Sequence, residues 1–328
     1  PLVFLIVLVL AFFPGIVFLG KTFYLKDLTS LYFPARYLAI ETWARGELPL
    51  WNPHSYLGFP LLASAGTSVL YPLNVFYLLP FSFPANASWF IIAHYWIAAV
   101  SMYFLGRAMG MGRLGSVMAA MTFTFSGFMV SRAGHLNIIT AAAWLPAMFY
   151  MNLRFFRTGK VLYAFALVPL VSLQILTSHP QILAYSQVAL ILFAGFEAFN
   201  KYRVLGMREG AKSFAIVIVV VFWGFLIATV QLLPTYELKE LSQRSGAVPY
   251  FTRYSVPPWH LLGTIFPYFF GRPDVDTYIG SANFYELYQY SGLLSLIFAS
   301  LAWMSPTHRL RVGFFYFLGM TKKFLECF

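Results

Sequence analysis

One acidic residue, Asp27, stands where an apolar N-terminal segment gives way to a polar and aromatic stretch of the chain. No charged side chain occurs in residues 2–20, so Asp27 is the first acid in the sequence. A carboxylate can take a proton from a hydroxyl group as a general base. Asp27 is therefore the candidate catalytic residue. The alternatives are a solvated loop acid or the N-cap of a helix over residues 28–45.

Two histidines fall at predicted helix ends beside other polar side chains. His135 lies in Ser-Arg-Ala-Gly-His-Leu-Asn, and His179 lies in Thr-Ser-His-Pro-Gln, which ends at Gln181. An imidazole there can bind a phosphate group or donate a proton to a leaving group. We therefore predict substrate binding by His135, His179 and Gln181. The alternative for each histidine is a purely structural role.

Three further residues are candidates for substrate contacts. Trp51 and Asn52 precede Pro53, and Asn-Pro is a turn signal. They form either a structural corner with Trp51 as an interfacial anchor, or part of an acceptor cleft. Arg244 has the guanidinium fork that suits a lipid phosphate, although a solvated loop explains it equally.

The sequence indicates no metal site and no cofactor. No His-x₃-His or His-Glu-x-x-His spacing occurs, and Cys327 is the single cysteine, which excludes a cysteine-based zinc site. A divalent metal bound by carboxylates is left open. The glycines at 110, 112 and 115 match a dinucleotide-binding pattern by letter, but no strand precedes them.

Composition places the chain in a membrane. It is 60% hydrophobic and only 10% charged, whereas a soluble globular domain carries about 25% charged residues. We predict an all-α polytopic bundle of about eight or nine spans in one transmembrane domain over residues 1–328, with a long first outer loop. The predicted spans are 2–20, 88–106, 114–131, 137–153, 161–177, 181–199, 213–233, 289–304 and an incomplete one at 312–320.

Two segments outside the predicted spans and two residues inside them carry further predictions. The apolar stretch 61–80 is broken by prolines, which favours a re-entrant or interfacial segment. Residues 34–45 suit a short interfacial helix. Inside the spans, His94 and Gln174 are the main polar exceptions, and His94 is either a buried hydrogen-bond partner or a site residue.

Charge fixes the predicted orientation. If the N-terminus is cytoplasmic, four short connectors on that side carry eleven basic residues, whereas eight of the eleven acids lie on the other face. This positive-inside pattern explains the net charge of +11 without nucleic acid. The predicted location is the cell inner or plasma membrane, with several passes and a cytoplasmic N-terminus. The outer face then holds the large loops 21–87 and 234–288, and with them Asp27. Both chain ends interrupt apolar segments, which we interpret as the sign of a fragment.

Several short strings together resemble the bacterial YfhO-type membrane protein family, which is similar to the GT-C class of polytopic glycosyltransferases. The strings are Asp27–Pro34, Gly46–Pro53, Gly58–Pro60, Tyr71–Asn74, Ser126–Gly127, Gly134–His135, Trp144–Pro146, His179–Gln181 and Phe266–Gly271. The resemblance implies a sugar donor linked to polyprenyl phosphate, Asp27 as the base that activates the acceptor, and inversion at the sugar. It also implies His135, His179 and Arg244 as phosphate or acceptor contacts.

The leading hypothesis is thus a glycosyltransferase that moves a sugar from a polyprenyl-phosphate donor to an acceptor in the cell envelope, either a glycan or a lipid. Membrane lipids are the surrounding partners, and no nucleic acid is expected. Two alternatives stay open. One is a transporter or flippase for a lipid-linked precursor, which should carry charges or Gly/Pro breaks at the bilayer midplane, and the predicted span interiors carry almost none. The other is a non-catalytic membrane scaffold.

Overall fold

The computed structural model describes residues 1–24, 27–64, 66–242, 257–280, 284–288, 290 and 292–304. Two predictions lie outside these residues, the substrate contact of Arg244 and the span over 312–320. The described chain forms two compact units. The first comprises Pro1–Ala120 and Ala133–Ser242, and the second comprises Met121–Arg132 and the described residues after Gln243.

Among the residues that the structure describes, five helices are long and apolar enough to cross a membrane, which confirms the predicted class of an all-α membrane protein. They correspond to the predicted spans near 88–106, 114–131, 137–153, 181–199 and 213–233. Their observed bounds are Phe83–Ala108, Arg113–Ser131, Leu136–Thr158, Pro180–Leu205 and Met207–Ile227.

The predicted continuous helix over residues 2–20 is wrong in its extent. The structure has α1 over Leu2–Phe12 and a single turn, α2, over Pro14–Val17. Pro14 has no amide hydrogen to donate, and its ring disfavours the helical conformation at Phe13, which has φ −113° and ψ 52°. The apolar segment therefore bends at Phe13.

The first loop folds into short elements around a small apolar core. Leu28–Tyr32 is a π-helix that runs directly into α3, Phe33–Ala44, and α3 confirms that a helix forms near residues 34–45, while its interfacial location stays a prediction. Two-residue strands, β1 (Trp51–Asn52) and β2 (Phe59–Pro60), pair antiparallel. The stretch 61–80 contains a 3₁₀ helix, Pro72–Leu78, and its described residues form no α-helix. The core beneath α3 is formed by Ala39, Leu61 and Val69.

The helices that follow build most of the first unit. Several of the apolar segments are interrupted once, so that one span comprises two helices. The helices of residues 83–240 are α4 (Phe83–Ala108), α5 (Arg113–Thr124), α6 (Gly127–Ser131), α7 (Leu136–Ala143), α8 (Leu145–Thr158), α9 (Val161–Phe165), α10 (Leu167–Leu176), α11 (Pro180–Leu205), α12 (Met207–Ile227) and α13 (Thr229–Glu240). Of these, α6 and the last four residues of α5 belong to the second unit.

The main core of the first unit lies among α8, α9, α10, α11 and α12. Small residues allow the helices to approach closely, as is usual in membrane bundles. At Gly224 on α12, an added Cβ would lie 2.7 Å from the Cβ of Val171 on α10. The Ser172 hydroxyl of α10 donates to the Gly224 carbonyl at 2.9 Å. This contact joins α10 to α12.

The second unit contains α6 and the elements after residue 256 in the described part of the chain. Its helices there are 3₁₀ turns over Pro258–Thr264 and Pro273–Val275, a single turn over Phe284–Leu287, and Leu293–Met304 within the span predicted at 289–304. The His260 ring stacks on Phe270 with centroids 4.2 Å apart.

Candidate functional site

The fold brings Asp27 and His135 together. The Asp27 Oδ2 atom lies 3.4 Å from the His135 Nε2 atom, and both residues belong to the first unit. The Asp27 side chain is 56% exposed and that of His135 is 24% exposed, so the pair sits at a surface that a substrate can reach. The predicted catalytic residue, Asp27, and a predicted substrate-binding residue, His135, are therefore neighbours in the fold.

Asp27 does not serve as a helix cap through its side chain. It occupies the N-cap position of the π-helix, yet its carboxylate accepts no capping hydrogen bond from that helix. The carboxylate faces His135 instead. A π-helix is a rare element that occurs often at functional sites, and here it lies directly between Asp27 and α3. Asp27 therefore holds the predicted N-cap position, but its carboxylate does not cap the helix.

A buried arginine, Arg36, joins the Asp27 helix to the segment that carries His135. Its Nη1 group donates to Asn74 Oδ1 at 2.9 Å, and its Nη2 group donates to Asn137 Oδ1 at 3.2 Å. Only 2% of Arg36 is exposed. Its guanidinium carbon lies 5.0 Å from the centre of the Phe90 ring, a cation–π distance.

Asn137 is the centre of this polar cluster. The Ser68 hydroxyl donates its one proton to the Thr177 carbonyl oxygen at 2.7 Å, and the hydroxyl oxygen lies 3.3 Å from Asn137 Oδ1. Asn74 Nδ2 donates to the Ser68 carbonyl at 2.7 Å. We name Arg36, Ser68, Asn74 and Asn137 the Arg36 cluster. It connects α3, the 68–74 segment, the start of α7 and the turn before His179.

His179 has a structural role at the start of α11. Its Nδ1 atom accepts a hydrogen bond from the Ile182 amide at 3.2 Å, which caps the helix. The preceding Ser178 has φ +57°, a left-handed conformation that non-glycine residues seldom adopt. This geometry supports the structural alternative for His179. A substrate contact by its other ring nitrogen stays a prediction.

The remaining candidates make local contacts. Gln181 Nε2 donates to the Tyr185 hydroxyl along α11 at 3.0 Å. Asn52 Oδ1 accepts from the His54 amide at 2.9 Å and its Nδ2 donates to Ser55 Oγ at 3.2 Å, which forms a turn. The Trp51 ring covers Gly58 so closely that a Cβ there would clash with the ring. These contacts favour the structural corner.

The structure resolves the question left by His94. The ring is fully buried, with its Nε2 atom 2.7 Å from the Tyr71 hydroxyl and its Nδ1 atom 2.7 Å from the Phe90 carbonyl. Trp144 Nε1 can only donate, and it donates to the Tyr71 oxygen at 2.8 Å. Nδ1 must carry the His94 proton because it faces a carbonyl, and Nε2 accepts from Tyr71. His94 is therefore a structural hydrogen-bond partner.

Sequence reasoning did not select Arg36, Ser68 or Asn74 as site residues. One signal was present, because Arg36 is the sole charged residue between Asp27 and Glu41. Burial of an isolated charge in an apolar helix is costly in free energy, so such a residue is a candidate for a specific role. The described residues contain no group of three or more His, Cys, Asp or Glu side chains that could hold a metal ion.

Comparison of the chain with protein-family models, with curated proteins and with solved structures gives no significant match.

Proposed function

We propose that the protein is a membrane glycosyltransferase in which Asp27 activates the acceptor hydroxyl. The observation that carries the proposal is the 3.4 Å approach of Asp27 Oδ2 to His135 Nε2 at an accessible surface. A carboxylate that serves only as a solvated loop acid has no need of an imidazole partner supplied by a distant segment. A general base must be able to reach the proton that it abstracts, and the exposed carboxylate of Asp27 meets this condition.

The proposed reaction is a single displacement. The carboxylate of Asp27 takes the proton of the acceptor hydroxyl, and the acceptor oxygen attacks the anomeric carbon of the sugar. The bond from that carbon to the donor phosphate oxygen breaks, and polyprenyl phosphate leaves with the electron pair. His135 orients Asp27 through its Nε2 atom and is proposed to contact the donor phosphate. The sugar is transferred with inversion.

The sequence features extend this proposal to the whole chain. The resemblance to the YfhO-type family supports a GT-C-like bundle of about eight or nine spans, and the distribution of charge supports an outer-face site in the bacterial plasma membrane. The donor is then a polyprenyl-phosphate sugar, and the acceptor is an envelope glycan or lipid. His179, Gln181, Trp51, Asn52 and Arg244 are proposed as secondary substrate contacts on that face.

The test is sugar transfer by purified protein from a radiolabelled polyprenyl-phosphate hexose to an envelope extract. Replacement of the base, Asp27→Asn, should lower the rate by about 100- to 10,000-fold while donor binding persists. Glu47→Gln is the matched control, because Glu47 lies in the same loop and pairs at the surface with Arg45 at 3.8 Å. Full activity of Asp27→Asn would exclude Asp27 as the base.

A transporter or flippase for a lipid-linked precursor is the second candidate, and one observation favours it. The bundle interior contains more polar groups than His94 and Gln174. Gln187 Nε2 donates to Gln174 Oε1 at 2.8 Å between α11 and α10. Asn152 on α8 is fully buried, and neither side-chain polar atom has a hydrogen-bond partner in the described structure.

Buried polar groups within spans often mark a substrate path. Movement of a fluorescent polyprenyl-phosphate sugar across liposomes, with loss of movement in Asn152→Leu, would favour the transporter. Transfer of the sugar without movement across the bilayer would favour the glycosyltransferase. The Asp27→Asn variant separates the two candidates further, because transport through the bundle does not need the acceptor base.

A further inference from the structure

We infer that Arg36 is a positioning residue for the Asp27–His135 pair, and that it acts through its fork of hydrogen bonds to Asn74 and Asn137. The inference deepens the proposed function and rests on it for its catalytic consequence. Its structural content, that Arg36 holds Asp27 opposite His135, is testable without any enzymatic activity.

Arg36 connects the two backbone segments that carry Asp27 and His135. Asp27 begins a continuous helical stretch that runs through the π-helix into α3, which contains Arg36. His135 directly precedes α7, and Asn137 is the second residue of that helix. The Arg36–Asn137 hydrogen bond of 3.2 Å therefore joins the two backbone segments that carry the pair. With this point fixed, the position of Asp27 along the helix is set relative to His135.

The Arg36 guanidinium makes two hydrogen bonds to two different segments. One hydrogen bond leaves a helix free to pivot, whereas two bonds from one planar group resist rotation. Arg36 Nη1 binds Asn74 and Nη2 binds Asn137, so the guanidinium contacts two separate segments. Asn74 is itself fixed by its Nδ2 bond to the Ser68 carbonyl. The cluster thereby orients α3 against both the 68–74 segment and α7.

Arg36 is too deeply buried to contact a substrate directly. Arg36 is only 2% exposed and lies against the face of Phe90, so a phosphate group has no open approach to its guanidinium. None of the ion pairs formed within the described residues involves Arg36, so its charge is balanced by amide oxygens and aromatic faces. A buried charge without an acid is costly in free energy. A role in geometry explains its presence better than stability does.

The Arg36 cluster also reaches the second histidine. The Ser68 hydroxyl, which contacts Asn137, lies 2.7 Å from the carbonyl oxygen of Thr177, two residues before His179. The same cluster thus holds the turn that leads into α11. Loss of Arg36 should disturb the Asp27–His135 pair first, because Ser68 retains its own contact with Thr177.

The test measures the pair directly by thiol cross-linking. Cysteines are placed as Asp27→Cys and His135→Cys after the single native cysteine is removed as Cys327→Ser. A short bismaleimide should link them rapidly in the otherwise unchanged protein. Arg36→Lys keeps the charge but loses the fork, and it should slow cross-linking by about tenfold or more. Asn137→Asp keeps the acceptor oxygen and should retain the rate.

Two controls complete the experiment. Arg45→Lys, at the exposed end of α3, should leave the rate unchanged. A second thiol pair, Lys201→Cys with Ser213→Cys, reports on a distant contact of α11 with α12, where the native side chains lie 2.8 Å apart. This pair should cross-link at the same rate whether or not the Arg36→Lys substitution is present. Loss of cross-linking at both pairs would overturn the inference, because Arg36 would then be needed for folding rather than for positioning.

Cross-linking of the Asp27–His135 pair at the parent rate in Arg36→Lys would overturn the inference as well. In the transfer assay, Arg36→Lys should lower the turnover number by about tenfold or more, with little change in KM for the donor. If the parent protein transfers no sugar, the proposed function fails while the cross-linking result still decides the role of Arg36. The two failures are therefore distinguishable.

Discussion

The carboxylate of Asp27 lies 3.4 Å from Nε2 of His135, and this contact joins the first loop to the segment that begins α7. The separation is longer than the roughly 2.7–2.9 Å of a charge-assisted hydrogen bond. Catalytic hydrogen bonds often tighten only when substrate is bound. The pair is thus close enough to act as a unit, and both side chains are partly exposed.

If Asp27 and His135 act as a unit, their mutational effects on sugar transfer should not be additive. The double variant Asp27→Asn with His135→Ala should have about the same kcat/KM as the less active of the two single variants. Gln181 supplies the control, because its side chain bonds to Tyr185 on its own helix. Asp27→Asn and Gln181→Ala should combine additively. Additive effects in the Asp27–His135 cycle would contradict coupling within the pair.

The cap formed by His179 predicts a stability difference between two substitutions. His179→Ala removes the acceptor for the Ile182 amide, so it should cost about 0.5–2 kcal/mol and lower the thermal unfolding midpoint. His179→Asn should retain most of the stability, because an asparagine oxygen caps the same position. Thermal unfolding in detergent measures both. Equal midpoints for the two variants would contradict a capping role.

Tyr32 predicts a loss of stability at alkaline pH. Burial raises the pKa of Tyr32 above its ordinary value of 10.0, and the charge of Asp27 raises it further, against a lowering effect of Arg36. The unfolded chain therefore releases this proton at a lower pH than the folded chain. Stability is fully present below the unfolded pKa and falls as the pH rises through it toward the folded pKa.

The check is the unfolding midpoint of wild type and Tyr32→Phe from about pH 8 to about pH 11. The phenylalanine variant should lose less stability over this range, since it has no hydroxyl to ionise. Tyr24→Phe is the control, because Tyr24 is 82% exposed. Its curve should run parallel to that of wild type. A Tyr32→Phe curve that also runs parallel would show that Tyr32 does not carry the effect.

The close contact of α10 with α12 predicts opposite outcomes for two glycine substitutions. Gly224→Ala places a Cβ at 2.7 Å from Val171, so it should destabilise the fold by about 1–3 kcal/mol. Gly195→Ala on α11 meets only Phe214 at 3.8 Å, an ordinary contact. It should be neutral or stabilising by up to about 1 kcal/mol, since alanine favours a helix. Chemical unfolding in detergent compares the two.

Hydrophobic runs predicted most of the long helices, because about 20 apolar residues are needed to cross a bilayer and few other structures require them. The extent of the first helix was wrong because one proline, Pro14, outweighs the apolar character of its neighbours. The stretch 61–80 shows the reverse case. Its prolines predicted that no regular span would form, and the structure contains a 3₁₀ helix there.

The candidate site was only partly predictable. Residue type identified Asp27 and His135, since few other acids or imidazoles stand at the ends of apolar segments. The same reasoning gave His179 an equal role, but its Nδ1 atom caps α11. Arg36 was passed over because a sequence does not show which polar side chains will be buried together. Its partners Asn74 and Asn137 lie far along the chain.

The sequence by itself determined that this is a helical membrane protein, and which residues have the chemistry for a site. Both follow from local properties: the apolar length of a segment and the functional groups of single side chains. Only the tertiary structure decided that Asp27 meets His135, that His179 caps a helix and that Arg36 is buried between two asparagines. The Asp27–His135 contact and the burial of Arg36 depend on packing between distant segments, which no local pattern specifies, whereas the His179 cap joins residues three apart and depends on the exact local geometry of the turn.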